Sequence, residues 1–332
     1  MDRIYVQTND AERNAVVAFD RGEDGNLTSL GRFETGGSGS GTPHLASQSS
    51  LAVSGDRLLV TNAGSNELSL FRVTAAGLEL ERRVPTGGTH PTSVAVHGEL
   101  VYVLNNGSPG IAGFSLDSLE PVEGSQQKLA ADADPAQIAF SPDGRTLVVT
   151  ERGTNSISTF DVGENGTAEN LRTIASSGAT PYGFDFSGGS LVVTEAFGGE
   201  IGAAAASSYS LTGGRLEPVS ASVADTRSEV CWAAVTRDGR FAYVTNFGDG
   251  TISSYAIGAD GSLELREAVA ASTNLGEKGV RDEAITGDGR FLYALDADAR
   301  RIYGWSVGED GSLAPVGDAD GLPETVAGLA AS

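Results

Sequence analysis

Leu147-Val148-Val149-Thr150-Glu151 returns letter for letter as Leu191–Glu195. The same phrase, a short apolar run closing on a polar residue, recurs with variation. It reads YVQTN at Tyr5–Asn9, LLVTN at Leu58–Asn62, VYVLN at Val101–Asn105, AYVTN at Ala242–Asn246 and LYALD at Leu292–Asp296. The last residues of the seven copies lie 53, 43, 46, 44, 51 and 50 positions apart. An aromatic follows each copy at a nearly fixed offset: Phe19, Phe71, Phe114, Phe160, Tyr209, Tyr255 and Trp305. Only the fifth copy departs, through an insertion at 197–206. A period of about 45 residues repeated around a whole chain is the mark of a repeat architecture.

Within each unit the periodicity is that of strands. Ile157–Val162, Ile252–Ile257 and Ile302–Val307 alternate between apolar and polar residues, as a half-buried strand does. Asp-Gly turns punctuate the runs, before the repeated phrase at Asp143-Gly144, Asp238-Gly239 and Asp288-Gly289, and after the aromatic at Asp260-Gly261 and Asp310-Gly311. Glycine accepts the positive φ that tight hairpins need. Four short strands per unit define a β-propeller blade. The sequence therefore predicts an all-β, seven-bladed propeller with four antiparallel strands per blade, formed by residues 1–332 as one domain. The chain opens on the second strand of its first blade, and Leu322–Gly328 reads as the missing innermost strand. Thirty-six residues beyond Asp296 and nine up to Asn9 make one more period. The C-terminal strand is expected to join the N-terminal blade and close the ring, which removes its exposed edges.

Composition narrows the function. The 332 residues carry 22 Lys and Arg against 44 Asp and Glu, a net charge of −22, with a pI near 4.4. Such a field repels a phosphate backbone, so no nucleic-acid partner is expected. One cysteine forbids an intrachain disulfide, and no apolar run approaches a membrane span. The first residues lack a signal-peptide pattern. The expected setting is a cytoplasmic monomer with no membrane partner; export, with a signal already removed, is the alternative.

Tyr243–Leu263 (YVTNFGDGTISSYAIGADGSL) and Asp288–Asp296 (DGRFLYALD) resemble the seven-bladed lactonase propellers, a family that includes the propeller-type 6-phosphogluconolactonases and carboxymuconate lactonising enzymes. The resemblance spans the chain and implies the fold, together with hydrolysis of a small lactone or a related cycloisomerisation.

Propeller topology places the start of each innermost strand and the end of each second strand at one mouth of the central channel. Candidate catalytic residues there are His90, a general base or a loop-anchoring hydrogen bond; Glu151 and Glu195, an acid–base pair or caps of the next blade's backbone; and Arg281, an anion or oxyanion anchor or an ion-pair partner of Asp282, Glu283 or Glu229. Candidate substrate-binding residues are His44, Arg152, Tyr182, Glu229, Trp232, Asp282 and Asn246. Cys231 has no adjoining base and is expected to be inert. No metal or cofactor is expected. The expected function is a lactonase-like hydrolase that acts on a small polar lactone, a sugar lactone or a carboxylated one, by general-base activation of water. A non-catalytic propeller that binds a small molecule or protein on the same face remains the alternative.

Overall fold

The computed structural model describes residues 2–42, 45 and 48–332, and contains seven four-stranded antiparallel sheets. Six sheets take four consecutive strands each. The seventh joins Ala327–Ala331 to Arg3–Gln7, Ala15–Arg21 and Leu27–Glu34. Each innermost strand packs beside the innermost strand of the next sheet, and the last packs beside the first, so the sheets form a closed ring. Among the described residues the only helical element is a single 3₁₀ turn at Phe197–Gly199, inside the insertion of the fifth repeat.

Two registers differ from the sequence reading. The closing strand is Ala327–Ala331, not Leu322–Gly328. Leu322 and Val326 look like strand residues because they are buried, packed with Ile4, Val6, Phe19 and Phe291, but they belong to the turn that leads in. In the first blade Ile4 faces Phe19 where Leu58 faces Phe71, so Thr8 occupies the position of Asn62. The expected Asn9 lies one residue beyond, because the following turn is longer.

Packing between blades supplies the core. The seven repeat aromatics are all buried, and the seven larger hydrophobic clusters each draw on two neighbouring sheets; one unites Tyr5, Val16 and Ala18 with Leu58, Val60 and Phe71. Each such side chain contributes about 1.5–3 kcal/mol on leaving water. A tyrosine from the second strand also latches blade to blade. Tyr102, Tyr243 and Tyr293 donate to the carbonyls of Gly166, Gly311 and Gly25, at 2.7, 2.9 and 2.5 Å, in the outer turn of the following blade. Those turn glycines, Gly166, Gly311 and Gly25, hold φ of 76°, 79° and 84°, which a residue without a Cβ adopts readily.

At the axis, innermost strands have one edge without a sheet partner. Side chains bridge it. Gln137 exchanges two hydrogen bonds with the Phe184 backbone, at 2.7 and 3.0 Å. Asp185 accepts from the Val235 N–H and Asp282 from the Leu329 N–H, each at 2.8 Å. Gln48 donates to the Ala233 carbonyl at 2.9 Å.

Candidate functional site

The turns into the innermost strands of blades three to six are built alike. His90, Asp134, Thr180 and Glu229 hold positive φ of 52°, 42°, 58° and 54°, a costly conformation for such residues. Their carbonyls accept the N–H groups of Asn106, Arg152, Ala196 and Phe247, which lie just beyond the second strands. A bulge follows in each of these strands and in that of blade seven, at Thr92, Ala136, Tyr182-Gly183, Cys231-Trp232 and Arg281. Bulges re-aim side chains, and here the wide bulges of blades five and six bring Tyr182, Cys231 and Trp232 to the channel mouth.

Around them stands a cluster of charge. Arg152 donates to Asp134 Oδ1 at 2.6 Å and to Tyr182 Oη at 3.0 Å. The Tyr182 and Trp232 rings lie 4.9 Å apart. Arg281 packs its guanidinium 4.1 Å from the centre of the Phe247 ring and 3.6 Å from Asp298. Its Nε has no partner, although the side chain is only 13% exposed. Glu229 accepts two bonds from Lys278 Nζ, at 2.9 and 2.8 Å. Trp232 is 1% exposed and its indole N–H is likewise unpartnered. Burial pushes the Cys231 thiol up to about 12, against the pull of Arg281 and Arg152. The thiol is therefore protonated at neutral pH and no nucleophile.

The structure thus brings together Arg152, Tyr182, Glu229, Trp232 and Arg281. His90 stands on blade three and connects to them through Asn106, which donates to Asp134 Oδ1 at 2.9 Å. Partial burial lowers its pKa, opposed by a bond to the Ala63 backbone, so its imidazole is neutral near pH 7.

Other expected residues are placed elsewhere. Glu195 is fully buried, and its oxygens accept from the Gly178 N–H at 2.7 Å, from Ser207 and Ser222 at 2.6 Å and from Ser176 at 3.3 Å. Glu151 accepts from Ser158 at 2.5 Å and Thr154 at 3.1 Å. At the same position Asn246 donates to Ser253 at 2.8 Å. Glu195 caps the Gly178 N–H ahead of its own blade, Glu151 bonds only hydroxyls of its own blade, and Asn246 Oδ1 has no partner, so none of the three caps the next blade's backbone. Asp282 lies in the channel wall, where burial pushes its carboxyl up to about 8. His44 lies outside the described residues.

Of two further acids in the channel, Glu283 is one the sequence already assigns to this face and Asp185 is one it missed. Asp185 was legible as an acid between Phe184 and Phe186 in an otherwise apolar run, and Glu283 as a second consecutive acid in Val280–Ile285. Among the described residues no group of three or more His, Cys, Asp or Glu side chains could hold a metal ion, and no helix is long and apolar enough to cross a membrane.

Comparison with known proteins agrees with this architecture. The chain belongs to the seven-bladed β-propeller lactonase family, whose sequence profile matches residues 2–120, 111–201 and 191–326. Among solved structures it is similar to a protein from Lactobacillus plantarum (TM-score 0.78, 17% identity, covering 100% of both chains). It is also similar to a protein from Bacteroides fragilis proposed to be a 6-phosphogluconolactonase (TM-score 0.76, 17% identity, 100% of this chain and 98% of that one). A third is the periplasmic gluconolactonase of Pseudomonas aeruginosa (TM-score 0.74, 19% identity, 98% of each). These identities speak to the fold alone. No curated protein matches the chain.

Proposed function

We propose that the protein hydrolyses a small lactone bearing an anionic substituent, bound at the channel mouth between blades three and seven. The observation that carries this reading is the Arg281 side chain, which is mostly buried, stacked on Phe247 and left with an unpartnered Nε in a molecule of net charge −22. A guanidinium so held offers a planar fork to a carboxylate or to the oxyanion that forms when water adds to the lactone carbonyl. Arg152 orients the Tyr182 phenol beside it, and the Trp232 indole N–H supplies a further donor. His90, kept neutral, takes the proton from the attacking water. Membership of a lactonase family and the gluconolactonase named among its structural relatives support the reaction class.

A panel of sugar and carboxylated lactones followed by pH-stat tests the proposal. Arg281→Ala is expected to lower kcat/KM on the preferred lactone by about 10²-fold or more, the usual cost of losing an oxyanion donor. His90→Gln should lower kcat and abolish the acid limb of the pH profile. Absence of turnover on every lactone would overturn hydrolysis. Binding of ring-opened hydroxy acids by the same face would then favour the non-catalytic alternative.

A further inference from the structure

Below the mouth, the central channel holds a second polar feature that the lactonase reading does not use. A cavity of about 370 Å³ runs along the innermost strands, lined by Gln137, Asp185, Asp282, Glu283, Thr286 and Arg237 among others. Glu283 is 2% exposed, and neither carboxylate oxygen has a hydrogen-bond partner. Its charged neighbours are Asp282 on its own strand and Asp185 on blade five; Arg237 is exposed and lines the same cavity. The two aspartates have structural duties already, since each accepts two backbone N–H groups, from Phe186 and Val235 and from Glu283 and Leu329. Glu283 has none. A buried carboxyl group without a partner is costly, whichever form it takes.

We propose that the channel is a binding site for a partly hydrated divalent cation, with Glu283 as its direct ligand and the Asp185 and Asp282 carboxyl groups lining the channel beside it. Three carboxyl groups line the channel against one basic side chain, the exposed Arg237, and so favour a cation over any anion or neutral guest. Among the described residues no three such side chains could hold a metal ion as a group, so water must supply the rest of the ion's shell. The cavity accommodates that shell, since a water occupies roughly 30 Å³ of liquid volume. Hard divalent cations take oxygen ligands and tolerate such mixed carboxylate and water shells.

The test must separate this site from the acidic surface. Surface pairs are largely screened at 1 M salt, where the Debye length is about 3 Å, whereas a buried site is screened much less. The intact protein is stripped with EDTA, exchanged into 1 M NaCl and dialysed to equilibrium against CaCl₂ or, in a parallel arm, MgCl₂. About one ion retained per chain in either arm is expected, and the arm that saturates at lower concentration identifies the ion. Glu283→Gln, which is isosteric, should weaken that binding by at least tenfold while leaving far-ultraviolet circular dichroism unchanged. No ion retained in either arm at 1 M NaCl would overturn the proposal, as would equal binding by a folded Glu283→Gln protein. Should that variant not fold, the wild-type dialysis decides alone. Lactone turnover is not read, so failure here leaves the lactonase proposal standing.

Discussion

Glu195 shows how one side chain can carry two opposite readings. A carboxylate on two neighbouring blades, where most copies have Asn, suggests an acid–base pair, yet Glu195 accepts four hydrogen bonds in a fully buried slot. Glu195→Ala would strand those donors and is expected to cost about 3 kcal/mol, seen as a lower urea midpoint. Glu195→Gln keeps one acceptor oxygen and should cost distinctly less. Loss of lactone turnover by Glu195→Gln at unchanged stability would contradict the capping role. Glu283 sets the opposite expectation. Burial and the nearby Asp282 and Asp185 charges raise its pKa well above the usual value. The native state therefore keeps a proton that the unfolded chain releases near pH 4, and stability falls as pH climbs from there toward the folded value. In EDTA, Glu283→Gln should unfold at a higher urea concentration than wild type at pH 9 and show little advantage at pH 4. An equal advantage at both values would remove the burial argument. The residue types of the mouth were legible in the sequence, because topology alone assigns Arg152, Tyr182, Glu229, Trp232 and Arg281 to one rim. Which carboxylates face the channel was not, since that depends on hydrogen-bond partners such as Ser207 and Ser222 on distant strands.

At the scale of single strands, the bulges decide what the mouth presents. The sequence showed the strands themselves, because alternation and Asp-Gly turns have local causes. It did not show the bulges, whose register shifts appear only when Pro181–Ser187 is laid against Ser190–Glu195, or Val230–Val235 against Phe241–Asn246. The same blindness misplaced the closing strand, where apolar Leu322 and Val326 mimic strand residues by being buried in a turn. Gly183 sits at the centre of the blade-five bulge. A Cβ there would fall against Gln48 Oε1 and within 2.8 Å of the Cys231 carbonyl oxygen and Trp232 Cα. Backbone on that side cannot swing aside as a surface side chain would. Gly183→Ala should therefore cost about 1–3 kcal/mol, in the range of overpacked cores, and should raise KM for the preferred lactone by moving Trp232. A variant with wild-type urea midpoint and KM would show that the bulge is slack.

For the whole ring, closure rests on a short strand contributed from the far end of the chain. Ala327–Ala331 pairs with Ile4–Gln7, Leu329 and Ala330 are buried, and the Ser332 N–H donates to the Arg3 carbonyl at 2.9 Å. Removing residues 322–332 would bare the inner edge of blade one and strip Leu322, Val326 and Leu329 from their cluster with Phe291 and Tyr293. Such an edge invites pairing with other chains, so the truncated protein is expected to aggregate or lose its cooperative melt. That result alone would not separate loss of the ring from mere loss of apolar area. A circular permutant does. Joining the adjacent ends through a short flexible linker and opening the chain at the Gly213-Gly214 hairpin turn keeps every strand pair while changing the order in which the sheets are made. A wheel held by neighbour-to-neighbour packing should tolerate that change and retain a single cooperative transition within a few degrees of wild type by calorimetry. A permutant that fails to fold while remaining monomeric would mean that blade one must form first, and that its closure is a kinetic requirement as well as a structural one.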